Sequence, residues 1–368
     1  MKFSCTQENL KRGLSLVSPI AAKSPHLPIL SYLMLRADAG MLTVLGTNLE
    51  IGVTTTIRGK VEGVGQCVVP AQVFANYISL VSGDRVDCSL EGTELIITSG
   101  SQHSKIRGAD ATEFPLLPNI DRSHKLSVSR QELLRALEHV LPCVAGDDTR
   151  PELTGVFMSL QGSVLMLAST DSYRLAEYKL PVTPSGLSEL KVIVPGKSLT
   201  EVYRIFSSVD AQQVELVFAD NQAMFRTEEV ELLTRLIEGR FPEYQQIIPT
   251  NFNTTALVNT EDLKRACKAA SLFTKSGMND VHLKFDTERK QITISAANNQ
   301  LGENVSSVDG EVNGQANAIV FNFRYLLDGI SSVKSNKVKV SLIDANNPAL
   351  FVPEEASEQL YILMPIKQ

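Results

Sequence analysis

The sequence is poor in the residues and motifs that most often carry chemistry. Its five histidines, His26, His103, His124, His139 and His282, are scattered along 368 residues. It contains no GxxxxGK[ST] phosphate loop, no HExxH and no GxSxG, which weighs against the common nucleotide, zinc-protease and serine-hydrolase chemistries. No catalytic residue, metal or cofactor is expected. The five cysteines, Cys5, Cys67, Cys88, Cys143 and Cys267, are odd in number and far apart, with no CxxC. That reads as buried, unpaired thiols in a reducing cytoplasm. No apolar run approaches a membrane span, and MKFSCTQENL lacks the apolar stretch of a signal peptide, so no membrane partner is expected. A basic excess is missing too. Lys and Arg total 35 against 41 Asp and Glu, a net charge of −6, which argues weakly against a tight nucleic-acid binder.

What the chain does have is repetition. TQENLKRGL (6–14) returns as SRQELLRAL (129–137) and as NTEDLKRAC (259–267). Each copy then offers a strand pair with period-two alternation, starting at Leu33, Val156 and Val281. A short strand and a second helix follow: VVPAQVFANYISLV, IVPGKSLTEVYRIF and VFNFRYLLDGISSV. Pro70 and Pro195 stand where two of these helices begin, a position that tolerates the missing N–H. The first two copies leave through EFPLLP and RFPEYQQIIP, with Phe114 and Phe241 in register. A period this long marks whole domains rather than a solenoid. The expected fold is α+β, with two helices and antiparallel sheets per domain, over 1–121, 122–250 and 251–368.

Helical spacing puts Leu10, Leu14 and Val17 inside on the first helix, with Leu133, Leu137 and Val140, then Leu263, Cys267 and Ala270, in the later copies. Basic residues stay outside: Lys11 and Arg12; Arg130 and Arg135; Lys264, Arg265 and Lys268. The later helices add Lys197 and Arg204, then Arg324 and Lys334. One such face would be an ordinary solvated surface. Three in matching positions point to a shared basic surface, which an acidic chain can still present.

With MKFSCTQENL, LPILSYL (27–33), GTNLEI (46–51), TDSYRL (170–175), EGRFPEY (238–244) and YILMPIK in order along the whole chain, the sequence resembles the bacterial sliding clamps, the beta subunits of DNA polymerase III. The resemblance implies a DNA-clamp fold closed into a ring-shaped head-to-tail homodimer. Its function would be that of a processivity factor of the replicative DNA polymerase, itself non-catalytic. Domains of about 120 residues are roughly 35 Å across. Six in a ring leave a hole of roughly 30 Å for a duplex about 20 Å wide; three leave almost none. The basic helices would then attract phosphates without reading bases, so the ring slides. Lys23 and Arg150 lie where clamps place further DNA contacts.

The same resemblance implies an apolar groove where the polymerase catalytic subunit, the clamp loader, other polymerases and repair proteins dock short apolar peptides. Residue by residue it falls on Leu153, Thr170, Ser172, Tyr173, Arg174, Leu175, Pro242, Ile247, Asn346, Pro348, Ile362, Leu363, Met364, Pro365 and Ile366. Leu, Ile, Met and Pro make an adaptable surface, and Arg174 is expected as a polar rim. Alternation along YILMPI suggests that half of it is exposed. The chain departs from the family at Ser172-Tyr173, commonly Gly-His, and at Lys367-Gln368, commonly Arg-Leu-like; Tyr173 is bulky enough to narrow the groove. The dimer contact is expected to pair Ile106, flanked by Lys105 and Arg107, with Leu272 and Phe273, and Glu303 is a candidate ionic partner. Asp171 with Arg174 reads as a structural turn, because its counterparts Asn48 and Asn298 are amides. A protein-binding scaffold without DNA would share this fold and groove but stay monomeric; the repeated basic helices argue against it.

Overall fold

The computed structural model describes residues 1–21, 27–275, 277–355 and 358–367. Six α-helices run through it: α1 (Gln7–Val17), α2 (Ala71–Leu80), α3 (Arg130–Val140), α4 (Gly196–Ser208), α5 (Thr260–Ser271) and α6 (Phe323–Ser332). In each repeat a short strand leads into the first helix, a strand pair follows, and the second helix comes directly off another strand.

Local chemistry starts the helices where the sequence indicates. Thr6 accepts the Asn9 N–H at 3.3 Å at the head of α1, and Asn259 accepts the Glu261 and Asp262 N–H groups at the head of α5. Pro70 is both the last residue of its strand and the N-cap position of α2, whereas Asn322 caps α6 through the Arg324 N–H. Each such bond satisfies a donor that the helix itself leaves unpaired. The expected apolar stripes of α1, α3 and α5 are all buried.

The chain divides into two compact units. One comprises 1–130, 183–187 and 201–236; the other comprises 131–182, 188–200 and 237–368. The first contains a five-stranded and a nine-stranded sheet, and the second contains a twelve-stranded sheet. Both large sheets join strands of successive repeats. In the first unit, the Ile51–Arg58 strand pairs antiparallel with Val230–Arg235, Gly52 opposite Leu233. In the second, Arg174–Pro181 pairs with Gln359–Leu363, Leu175 opposite Ile362. The middle repeat therefore contributes to both units, and neighbouring repeats cover edges that would otherwise be unpaired.

This pairing corrects the reading of the C-terminal strand. Tyr361, Ile362 and Leu363 are all at most 1% exposed. The strand lies inside the sheet, between Arg174–Pro181 and Ala349–Pro353, so both its faces are covered and alternation no longer marks a solvent side. All five cysteines are buried and free. Burial pushes the Cys5 thiol up to about 11 and Cys267 up to about 12, which leaves them unreactive. Among the described residues, no helix is long and apolar enough to cross a membrane.

Candidate peptide groove and basic helices

The groove begins with a turn. The Thr170 hydroxyl donates to the Arg174 carbonyl at 2.7 Å and accepts the Ser172 N–H at 3.1 Å. Asp171 accepts the Tyr173 and Arg174 N–H groups, both at 3.0 Å, and Ser172 is held at φ +75°. Carboxylate-to-backbone bonds of this kind make an Asx turn. The structural reading of Asp171 therefore holds, and the turn leaves Tyr173 63% exposed.

Below the turn, Leu153, Leu175 and Ile362 pack with Ala168, Ile193, Phe241 and Tyr244 into one buried cluster. Thr170 and Leu363 are also buried. The exposed members are Ser172, Tyr173, Ile247, Met364 and Asn346, and Pro242, Pro348, Pro365 and Ile366 are half-buried. The C-terminal segment is tied on by the Met364 N–H to the Tyr173 carbonyl at 2.9 Å and the Ile366 N–H to Val320 at 2.8 Å. Asn346 sits in its own turn, its N–H donating to Asp344 at 2.8 Å. Beneath the cluster, the Tyr244 hydroxyl donates to buried Glu177 at 2.6 Å. Burial first, and then this carboxylate, holds the Tyr244 phenol well above its ordinary range.

Arg174 is not a rim residue. Its side chain is 10% exposed, with Nε 2.9 Å from Asp171 and Nη1 2.5 Å from Asp328. The guanidinium carbon stands 4.2 Å from the Tyr325 ring centroid. A nearly buried charge needs such partners, and Arg174 is the strut that fixes the turn to α6. The Tyr173 ring lies 6.3 Å from that of Tyr325 at 26°. The cation at the edge of the groove is Arg150, half exposed, which donates to the Ser172 hydroxyl at 3.3 Å and pairs with Glu152 at 3.1 Å. Tyr325, Asp328, Phe241 and Tyr244 were missed from the sequence. Nothing close in the chain points to the first two, but the recurring Phe-Pro of the exit segments was a usable signal for Phe241.

The basic helices divide by what holds each charge. Lys11, Lys197, Lys268 and Arg324 are exposed. Five others meet carboxylates: Arg12 meets Glu229 at 2.6 Å, Arg135 meets Glu132 at 2.6 Å, Lys264 meets Glu261 at 3.4 Å, Arg265 meets Asp262 at 3.4 Å and Lys334 meets Glu138 at 2.8 Å. Arg130 and Arg204 depart from the expectation of outward charges. Arg204 donates to the Ser15 and Leu16 carbonyls at 3.0 and 2.8 Å, in the last turn of α1. Arg130 donates to Ala211 at 2.8 Å and to Phe206, near the end of α4, at 2.9 Å. Both guanidinium groups satisfy carbonyls that a helix end leaves unpaired. Lys23 lies outside the described residues.

Ile106 is also turned inward, 7% exposed, because alternation along Gln102–Arg107 buries it in its own sheet. Lys105 and Arg107 reach Glu91 at 4.0 Å and Glu94 at 3.4 Å within the chain. Leu272 is 72% exposed and Phe273 half-buried. Glu303 stands opposite Ala297 on the Gly302–Gly314 strand.

Three family models match in succession: the N-terminal, central and C-terminal domains of the DNA polymerase III beta subunit, over 1–118, 127–243 and 245–367. The chain belongs to the DNA polymerase III beta subunit family. These are the bacterial sliding clamps, so the chain is a processivity factor and not a catalytic subunit. A Synechocystis beta sliding clamp is 29% identical, the match covering 100% of this chain and 99% of that protein. One from Staphylococcus epidermidis is 29% identical over 95% of each. The solved DNA polymerase sliding clamp of Bacillus subtilis superposes with a TM-score of 0.95 at 26% identity, over 100% of this chain and 99% of that one.

Proposed function

We infer that two copies of this chain close head to tail into a ring that encircles duplex DNA without sequence preference and slides along it. The ring tethers the catalytic subunit of the replicative polymerase, the clamp loader, other polymerases and repair proteins. The observation that carries this reading is the basic first helix, present three times at matching positions. We place the domain boundaries at 1–121, 122–250 and 251–368, and the protein in the cytoplasm. Partners dock short apolar peptides against Leu153, Leu175 and Ile362, between Tyr173, Ile247 and Met364, with Arg150 at the edge. The dimer contact brings Leu272 and Phe273 against the Gln102–Arg107 edge strand, where Lys105 and Arg107 exchange their partners within the chain for acids of the other copy.

Phosphate contacts fall first to Lys11, Lys197, Lys268 and Arg324, which form no ion pair among the described residues. Arg12, Arg135, Lys264, Arg265 and Lys334 exchange a weak surface pair for a phosphate.

Solution mass and small-angle scattering at micromolar concentration test the ring. Twice 40.3 kDa with a hollow distance distribution is expected; a monomer at every concentration overturns the encircling mechanism. Retention on circular but not linear DNA tests sliding.

A further inference from the structure

The turn that shapes the groove occurs a second time. The Thr47 hydroxyl donates to the Ile51 carbonyl at 2.9 Å, and Asn48 accepts the Glu50 and Ile51 N–H groups at 3.0 and 2.8 Å. Leu49 sits at φ +75°, as Ser172 does. Each bond has its counterpart in the turn at Thr170. The strand that follows also pairs with a strand of the next repeat, and Gly52 opposite Leu233 takes the place of Leu175 opposite Ile362.

A cavity of about 110 Å³ opens at this second junction, and Leu49, Glu50, Gly52, Pro115, Leu233 and Arg235 are among its lining residues. These fall on the repeat positions of Ser172, Tyr173, Leu175, Pro242, Ile362 and Met364. Where Leu175 floors the groove, the first copy has glycine. A Cβ on Gly52 would stand 2.4 Å from the Leu117 side chain, so Leu117 supplies the missing apolar volume from the exit segment. The floor is thus conserved in character while its source differs.

The mouth has changed in chemistry. Tyr173 and Met364 are replaced by Glu50 and Arg235, both exposed and joined through the Arg235 N–H to the Glu50 carbonyl at 3.3 Å. None of the ion pairs among the described residues involves either side chain. A cavity with room for one aliphatic side chain, walled by Leu49, Leu117 and Leu233 together with Thr47, Gln222 and Thr234, therefore opens between two opposite charges that enter no ion pair among the described residues.

We propose that this cavity is a second docking site, for a short extended peptide that inserts one aliphatic side chain between a basic and an acidic residue. The aliphatic group displaces water from the walls formed by Leu49, Leu117 and Leu233. The flanking residues make charge-assisted bonds to Glu50 and Arg235, which set direction and exclude the wholly apolar peptides of the first groove. The proposal rests, through the repeat, on reading the Leu153–Leu175 region as a peptide groove.

The test uses the full chain with labelled leucine methyl groups and two blocked hexapeptides, one centred on Lys-Leu-Asp and one, uncharged, centred on Leu-Leu. The charged probe is expected to shift the Leu49 and Leu233 signals saturably, and Arg235→Glu to weaken it at least tenfold. The uncharged probe should shift Leu153 and Leu175 equally in both proteins. Silence at Leu49 and Leu233, or shifts indifferent to Arg235→Glu, overturns the second site. If the uncharged probe leaves Leu153 and Leu175 unmoved while the charged one acts at Leu49, the groove reading fails and the second site stands.

Discussion

In the first unit, the last turn of α1 is held by Arg204, whose guanidinium reaches two main-chain carbonyls at 3.0 and 2.8 Å from a side chain one-third exposed. The matching contact of the second unit ties α3 to the residue group that ends α6 through Lys334 and Glu138. It is a single ion pair of 2.8 Å between side chains 55% and 43% exposed. The helices correspond in the repeat; their fastenings do not. A carbonyl is present whatever the sequence does, so an arginine aimed at helix ends depends on geometry alone. An exposed lysine–glutamate pair is worth little and weakens with salt. Repetition has preserved the packing of apolar faces and left the polar ties to be met separately in each copy.

That contrast is open to attack. The largest expected effect is from Arg204→Ala, which strips a charged donor from two carbonyls and leaves Glu201 without its 2.7 Å partner. A loss of about 2 kcal/mol is expected in urea unfolding, together with faster amide exchange in the last turn of α1. Arg204→Lys should recover little, since an ammonium lacks the fork.

A second difference lies at the adjoining residue. Where the first copy buries Leu16, the second buries His139, 1% exposed, with Nε2 2.9 Å from the Leu360 carbonyl. Burial holds its pKa below the ordinary value of 6.5. The folded chain therefore keeps the imidazole neutral where the unfolded chain takes up a proton. The stability from this group is complete above about pH 6.5 and is lost as the pH falls toward the lower folded value. His139→Leu should flatten that part of the stability profile in urea titrations between pH 7 and 5; an unchanged slope would assign the acid response elsewhere.

The smallest effect is expected at the exposed tie. Lys334→Ala should cost no more than about 0.5 kcal/mol at low salt, and the difference should vanish in 1 M salt. A cost comparable to that of Arg204→Ala would abolish the distinction between the two fastenings.

Much of the fold was legible because its signals are local. Three helices with the same apolar spacing, and two proline-started helices, follow from periodicity over fewer than a dozen residues. The turn at Thr170 was readable as structural because Asn48 and Asn298 stand in its place in the other copies. Asparagine and aspartate both accept main-chain N–H groups, whereas catalysis would need the acid. The groove was legible only through family resemblance, and even then as positions without depth. Sequence could not tell that Leu153, Thr170, Leu175, Ile362 and Leu363 lie buried while Tyr173, Ile247 and Met364 stand at the surface.

The sequence by itself determined the repeat, the helices with their buried stripes, the turns and the unpaired thiols. Each depends on the spacing of side chains along a short stretch of backbone. Tertiary structure decided which charges are available. Arg12 meets a carboxylate 217 residues away, Arg174 one 154 residues away, and Arg204 the carbonyls of helix α1 almost 190 positions earlier. It also buried all of Tyr361–Leu363 and turned Ile106 inward, because a strand's two faces are assigned by the neighbours that flank it. A basic residue on an amphipathic helix looks free when only its own helix is considered. Whether it is free depends on which carbonyl or carboxylate the rest of the chain brings within about 3 Å.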